Sequence, residues 1–359
     1  MSKYINSKFS SLKAYTPGEQ PTDKKYIKLN TNESPYPPSQ GVLDAINESA
    51  VSDLNLYPDP ECKALKDAIA GLYGVERKNV FVSNGSDDIL NFFFMAFCDN
   101  GDHPVIFPSI SYGFYKVYAE LYGTSYKAVP LKNDFVIDVA DYTTNSANIV
   151  IANPNAPTGI ALTLEEIEEI LKGNPDRLVL IDEAYVDFGA QSSIELTSKY
   201  PNLLVVCTYS KSRSMAGARL GFAIGNEEII ADLEKIKYST NPYNINRLTM
   251  LAGIAAINDN DYYVDNCQKI IKTREWTQKE LIARGFELTN SKSNFIFAKT
   301  EKIGGEDLYL KFKEQGILVR HFNDSLIREY NRITVGTKTQ MEKLIDAIDK
   351  ILDEKEEQK

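Results

Sequence analysis

From about residue 80 onward, short apolar or β-branched runs alternate with stretches whose apolar positions recur every three to four residues, the pattern of strands feeding crossover helices. These runs predict strands at Val80–Val82, Val105–Phe107, Ser125–Val129, Ile149–Ala152, Leu178–Ile181, Leu203–Cys207 and Gly221–Ile224. Several show no polar alternation, which predicts a mostly parallel sheet covered by helices on both faces. The segment Ile89–Cys98 (ILNFFFMAFC) is the most apolar, and its length suits a buried helix. Thr163 and Glu166 have capping-box spacing, so a helix is expected to open at Thr163.

After Tyr243 the pattern changes. Long helical stretches over about Ile245–Ile257 and Asp259–Arg284 precede a short α+β region, with strands expected at Phe295–Ala298, Leu318–His321 and Arg332–Val335. Helices are expected there near Glu306–Gln315 and Thr339–Lys355. A chain of 359 residues is too long for one simple core. It reads as α/β with a large domain over residues 38–257 and a smaller one formed by residues 1–37 with 258–359. The final DEKEEQK reads as a solvated helix end or frayed tail.

Composition narrows the chemistry. A hydrophobic share of 43% with 25% charged residues fits a soluble globular enzyme. The net charge of −10, with no compact Lys/Arg stripe, argues against nucleic acid as a partner. No run of about 18 apolar residues could span a bilayer. The N-terminal MSKYINSKFSS has no export signature, so a cytoplasmic protein is expected. Cys62, Cys98, Cys207 and Cys267 form no CxxC pair and read as reduced packing residues. With only His103 and His321, a multi-histidine metal site is nearly excluded and a Ser/His/Asp triad is constrained to one of the two. No metal is expected, and the chemistry points to an organic cofactor.

Four segments carry candidate chemistry. In LLVVCTYSKSRSMAGARLG (residues 203–221) a buried strand runs into a polar turn bearing Ser210 and Lys211, and Arg219 follows through a Gly-containing turn. Alone, that lysine would read as a surface residue. The strand before it and the cation after it suggest a Schiff-base lysine beside a phosphate clamp. In LVLIDEAYVDF (residues 178–188) Asp182 ends an apolar strand, at the edge where ligands bind in open parallel sheets. A protonated pyridine nitrogen is one candidate partner, worth on the order of 4 kcal/mol at about 4 Å and an effective dielectric of about 20; backbone amides or an arginine could satisfy the carboxylate instead. In NPNAPTG (residues 153–159) two prolines and a glycine mark a rigid loop that could hold an amide still or be a plain turn. In VFVSNGSDD (residues 80–88) Gly85 and Ser86 open a helix whose first amides could take an anion, with Ser86 equally readable as an N-cap. There Asp87 and Asp88 must turn their carboxylates away from any phosphate.

All four segments fall at strand carboxyl ends, in order for one pocket. Together with KLNTNESPYPPS (28–39), LYPD (56–59), PSISYGFY (108–115), NPYNIN (241–246) and RITVGT (332–337), they resemble the fold type I pyridoxal-5′-phosphate (PLP) dependent aminotransferases, most closely the histidinol-phosphate aminotransferase family. The resemblance covers nearly the whole chain. It implies Lys211 as the lysine that bonds PLP, Asp182 as the partner of the ring nitrogen and Tyr185 as the donor to the phenolic oxygen. It implies Tyr112 stacked on the ring, and Gly85, Ser86, Asp87, Ser210 and Arg219 around the phosphate. Tyr57 would reach that phosphate from the other subunit of a homodimer. Arg332 resembles the arginine for the substrate carboxylate, and Arg320, Tyr15, Asn32 and Tyr243 resemble residues around the variable part of the substrate. The implied substrates are L-glutamate with 2-oxoglutarate and a phosphorylated imidazole compound. An aromatic aminotransferase and a threonine-phosphate decarboxylase share the cofactor motifs and stay open as alternatives. The family loop usually reads NNPTG; here Ala156 replaces the asparagine before the proline, leaving Asn155, or Tyr185 with a water, to bond the phenolic oxygen.

Overall fold

The computed structural model of the chain describes residues 4–9, 12–144 and 146–357. Strand β1 (Ile27–Lys28) precedes a seven-stranded sheet made of β2 (Val80–Ser83), β3 (Val105–Pro108), β4 (Tyr126–Val129), β5 (Asn148–Ala152), β6 (Val179–Asp182), β7 (Leu203–Thr208) and β8 (Gly221–Gly225). Their order across the sheet is β2-β8-β7-β6-β5-β3-β4. Strands β3 to β7 pair in parallel, whereas β8 is antiparallel to both β2 and β7. Every strand of this sheet except β8 therefore ends at one edge, and β8 begins there.

All seven expected strands form, with ends moved by at most one residue. Their continuous apolar runs are explained by the pleat, which sends successive side chains to opposite faces. Val80, Val82, Ile149, Ile151, Val179, Ile181, Leu203 and Val205 enter one core, which also takes Leu65, Ile69, Ile167 and Ile170 from flanking helices. Phe81, Val150, Leu180, Leu204 and Val206 enter the other, with Phe92 and Phe93 of the helix Ser86–Phe97. Strand β4 departs from the expected two-sided cover, since Tyr126, Lys127 and Ala128 are exposed. It is the edge strand, and the chain after it makes two short 3₁₀ turns instead of a crossover helix. The helix Leu164–Gly173 does open at Thr163, with both capping-box hydrogen bonds in place.

The helices Arg247–Asn258 and Asn260–Ala283 lead to β9 (Phe286–Leu288), β10 (Phe295–Thr300), β11 (Ile317–Leu318), β12 (Arg320–His321) and β13 (Asn331–Thr334). Four of these form an antiparallel sheet in the order β12-β13-β10-β9. The strand expected over Leu318–His321 is divided: β11 pairs in parallel with β1, and β12 pairs with β13. This division ties the N-terminal segment to the C-terminal sheet. The helix Lys338–Glu357 buries Met341, Leu344, Ile345, Ile348, Ile351 and Leu352 at three- to four-residue spacing in a third core. Of DEKEEQK, residues 353–357 continue that helix, and Gln358 and Lys359 lie outside the described residues. All four cysteines are buried and free. Among the described residues, no helix is long and apolar enough to cross a membrane.

Candidate active site

The loops that leave the common strand edge converge on one place. Where β7 ends, the next turn carries Ser210 and Lys211. Lys211 Nζ donates to the Thr31 carbonyl at 3.2 Å and lies 5.8 Å from the centre of the Tyr185 ring. Just before β8, Arg219 adopts a left-handed backbone (φ 55°) after the turn Ala216–Ala218. Its Nη1 reaches Ser210 Oγ and the Ala216 carbonyl, both at 3.4 Å, and its Nη2 pairs with Asp87 Oδ2 at 2.9 Å. The other Asp87 oxygen accepts from the Tyr112 hydroxyl at 2.8 Å.

Two glycines permit this closure. Gly85 has φ 87°, and a Cβ there would lie 2.8 Å from Arg219 Nη2. At Gly221 a Cβ would lie 2.5 Å from the Ser86 amide nitrogen. The arginine and the start of the helix Ser86–Phe97, whose first N–H groups have no partner within the helix, thus face the same space. Asp88 turns away from it to Asn84 N (3.4 Å) and Asn244 Nδ2 (2.9 Å), and bonds Ser83 Oγ. The expected retreat of both carboxylates holds for Asp88 only, because Arg219 and Tyr112 keep Asp87 at the pocket.

Asp182 ends β6, buried, with its Oδ2 accepting from the Tyr115 hydroxyl at 2.8 Å and its Oδ1 from Ala184 N–H at 3.2 Å. Burial pushes its pKa up to about 6, against these hydrogen bonds and the Lys211 charge. Burial likewise pushes Glu183 up to about 7, although Ser192 Oγ, Ser193 N and Ser193 Oγ all donate to it at 2.6 Å.

Two adjoining cavities result. The first, of about 340 Å³, is lined by Ser86, Asp87, Tyr112, Asp182, Tyr185, Ser210, Lys211 and Arg219 among others. The second, of about 370 Å³, is lined by Tyr15, Asn30, Arg320, Phe322 and Arg332 among others. Thr31, Tyr112, Ala156, Tyr185 and Lys211 belong to both, so Lys211 stands in the shared wall. A larger cavity of about 910 Å³ lies elsewhere, among charges spent on each other, such as Arg77 with Asp67 (2.5 Å) and Lys78 with Glu227 (2.9 Å). It offers nothing comparable.

In the second cavity Arg332 Nη2 donates to the Asn30 carbonyl at 3.2 Å, and the guanidinium lies over the Phe295 and Phe322 rings at 5.3 and 5.8 Å. Burial lowers the Arg332 pKa from its ordinary value, and the Arg320 charge works in the same direction. Arg332 Nε and Asn30 Oδ1 are buried without a hydrogen-bond partner among the described residues. Arg320 donates to the carbonyls of Thr16 and Pro17, both at 3.1 Å. The Tyr15 ring stacks on Phe114 at 4.3 Å.

Five sequence-predicted residues, Gly85, Asn155, Asn32, Tyr57 and Tyr243, do not line either cavity. Asn155 is buried, with its amide donating to Ile110 O and Thr158 Oγ1 and its oxygen accepting from Ser111 Oγ, so it ties its own loop to the segment that follows β3. Ala156 takes the wall position instead. Asn32 sits behind Tyr185, donating to its hydroxyl at 3.0 Å while Thr334 Oγ1 holds its own oxygen. Tyr57 is 79% exposed and stacks on Tyr243 at 4.6 Å, away from both cavities of its own chain. Sequence reasoning missed the Thr31 carbonyl, Asn30, Phe322 and Tyr115. Of these, only Tyr115 had a signal, a second tyrosine three residues after Tyr112.

Comparison with known proteins agrees with this arrangement. The family model of aminotransferase class I and II matches residues 24–348. The histidinol-phosphate aminotransferase of Brachyspira hyodysenteriae is 54% identical over 353 residues, covering 98% of this chain and 99% of that protein. The histidinol-phosphate aminotransferase of Clostridium botulinum (strain Kyoto / Type A2) is 48% identical over 352 residues, again covering 98% and 99%. In fold, the chain is similar to the crystal structure of histidinol-phosphate aminotransferase from Sinorhizobium meliloti in complex with pyridoxal-5′-phosphate, with a TM-score of 0.84, 24% identity and 92% of each chain covered.

Proposed function

Since the chain belongs to the class I and II aminotransferases, we propose that it is a cytoplasmic, PLP-dependent enzyme of histidine biosynthesis. It exchanges an amino group between L-glutamate with 2-oxoglutarate and histidinol phosphate with imidazole acetol phosphate. The observation that carries this reading is Lys211 in the wall between a cavity with a phosphate cup and a cavity with two arginines. Relatives about half identical over their full length support the substrate.

The first cavity fits PLP by the chemistry of its donors. Ser210, Arg219 and the helix start at Ser86 would hold the phosphate, in the cradle that a Cβ at Gly85 or Gly221 would fill. Asp182 would meet the ring nitrogen, Tyr112 the ring face and Tyr185 the phenolic oxygen. Ala156 leaves that last contact to Tyr185, which Asn32 orients. When bound, PLP supplies the carbonyl that takes up the amino group and the ring that withdraws electrons from the substrate carbon.

The chain's own groups do the rest. Lys211 Nζ would hold the cofactor and would carry the proton to and from the substrate carbon. Asp182 would keep the ring nitrogen protonated, and a cation beside it would offset the burial that otherwise pushes its pKa up. Arg332 binds the carboxylate of glutamate, and Arg320 with Tyr15 receives the phosphate end of the other substrate.

Residues 38–257 act in this reading as the cofactor-binding domain, and residues 1–37 with 258–359 as the smaller domain. The enzyme works as a homodimer in which Tyr57 completes the partner's phosphate cup. The exposure of Tyr57 supports this, as do the exposed Leu43, Ile46, Val51, Leu54 and Leu56 around it in sequence. A panel of amino donors with 2-oxoglutarate as acceptor tests the substrate. Histidinol phosphate should give the highest kcat/KM; phenylalanine or tyrosine ahead of it would reassign the enzyme, as would carbon dioxide release from threonine phosphate.

A further inference from the structure

We propose that Tyr115 is a positioning residue that keeps the shared proton on the cofactor's ring nitrogen by holding Asp182 the weaker base of the pair. This rests on the reading that Asp182 meets that nitrogen. Tyr115 lines neither cavity and is fully buried, and its hydroxyl reaches the site through the carboxylate. Its hydroxyl donates to Asp182 Oδ2 at 2.8 Å, while Ala184 N–H occupies Oδ1 at 3.2 Å, so each carboxylate oxygen carries one protein donor. The phenol cannot swing away: Tyr112 meets its ring edge-on at 5.7 Å and 85°, and Phe107 packs against it at 5.9 Å.

A proton between a ring nitrogen and a carboxylate goes to the stronger base. A hydrogen bond donated to the carboxylate stabilises its charged form and lowers its basicity. The other groups around Asp182 pull in both directions: Lys211 favours its charge, Asp87 opposes it, and Glu183 and Cys207 lie nearby. Tyr115 is a hydrogen-bond donor to Asp182 that neither cofactor nor substrate touches. Without its hydroxyl the proton moves toward Asp182 and the ring becomes a poorer electron acceptor, while the phosphate cup is untouched.

The test loads wild type, Tyr115→Phe, Tyr112→Phe and Asp182→Asn with PLP carrying a nitrogen-15 ring label and reads the ring-nitrogen chemical shift. Wild type should give a protonated nitrogen and Asp182→Asn an unprotonated one. Tyr115→Phe should move toward the unprotonated position, with kcat about ten- to a hundredfold lower. KM and cofactor affinity should stay within about threefold of wild type. Tyr112→Phe, which breaks the bond to Asp87 instead, should leave the shift in place. If Asp182→Asn does not change the shift, the underlying reading of Asp182 fails. If Asp182→Asn changes it and Tyr115→Phe does not, the reading stands and this proposal falls. Equal movement in Tyr112→Phe, or loss of cofactor binding in Tyr115→Phe, also overturns the proposal.

Discussion

Arg320 and Arg332 stand directly opposite one another across the antiparallel pair β12–β13. Like charges in that position repel and cost stability unless an anion is placed between them. The arrangement suits a site that takes differently shaped anions in turn. Lysine cannot reproduce the two parallel hydrogen bonds of a guanidinium to a carboxylate. Arg332→Lys should therefore slow the glutamate half-reaction by at least about tenfold and the histidinol-phosphate half-reaction less. Arg320→Ala should do the reverse. Single-turnover rates for each half-reaction decide it, and equal losses in both would end this division of labour.

Lys211 in the shared wall leads to a spectroscopic expectation. The purified protein should be yellow, and Lys211→Ala should lose the visible band of covalently held cofactor together with activity. An unchanged spectrum and unchanged turnover in the variant would remove the central assignment.

Asp182→Asn should still bind PLP through the Ser210–Arg219 cup yet turn over slowly. Breaking a buried charge pair costs about 3–5 kcal/mol. If all of it falls on the transition state, kcat drops by about two to four decades. A steady-state kcat within about threefold of wild type would give Asp182 another role.

The two adjacent buried acids set a pH dependence in the cofactor-free protein. Burial raises Asp182 from 3.8 to about 6 and Glu183 from 4.5 to about 7. A carboxyl whose folded pKa is raised contributes stability that is full below its unfolded pKa and is lost as pH rises through the folded one. Between about pH 4 and pH 7 these groups should therefore make the protein less stable as pH rises, by on the order of 2 kcal/mol each. Asp182→Asn and Glu183→Gln, which cannot ionise, should flatten that slope. Urea midpoints at about pH 5 and pH 8 measure it, and an unchanged slope in both variants would contradict the assignment.

Tyr57 acting across a dimer predicts an outcome in mixed dimers with Lys211→Ala on one chain and Tyr57→Phe on the other. If Tyr57 serves the partner, both defects fall in one site and activity stays near half of wild type. If it serves its own chain, both sites are damaged. A fully active monomer would rule out sharing altogether.

The large sheet was legible because its strands other than β4 are buried on both faces and so read as unbroken apolar runs, such as Leu203–Cys207. Lys211 and Asp182 stood out because a charged residue at or just past the end of such a run is poorly explained by packing, and Arg219 because it follows Lys211 through a Gly-containing turn. What escaped depends on contacts far apart in sequence. Strand β1 has two residues, too few to show a period, and exists because Ile27 and Lys28 pair with Ile317 and Leu318. The break at Val319 was hidden because Leu318–His321 looks like one strand until β1 and β13 claim its halves. Asn155 lies off the cavity because its amide turns to Thr158 in its own loop and to Ile110 in the segment after β3, which spacing from a proline cannot reveal.

The shared wall at Lys211 also has a genetic consequence. Every residue lining the first cavity lies between Thr31 and Arg219, whereas Arg320, Phe322 and Arg332 are encoded after β8. A single recombination event in the gene, placed between the codons for Gly225 and Arg320, would exchange those three residues as a block. Lys211, Asp182, Ser210 and Arg219 would stay with the other residues of the first cavity. The gene order thus separates one part of the second cavity's wall from the whole of the first cavity, while Tyr15 and Asn30 travel with the first part.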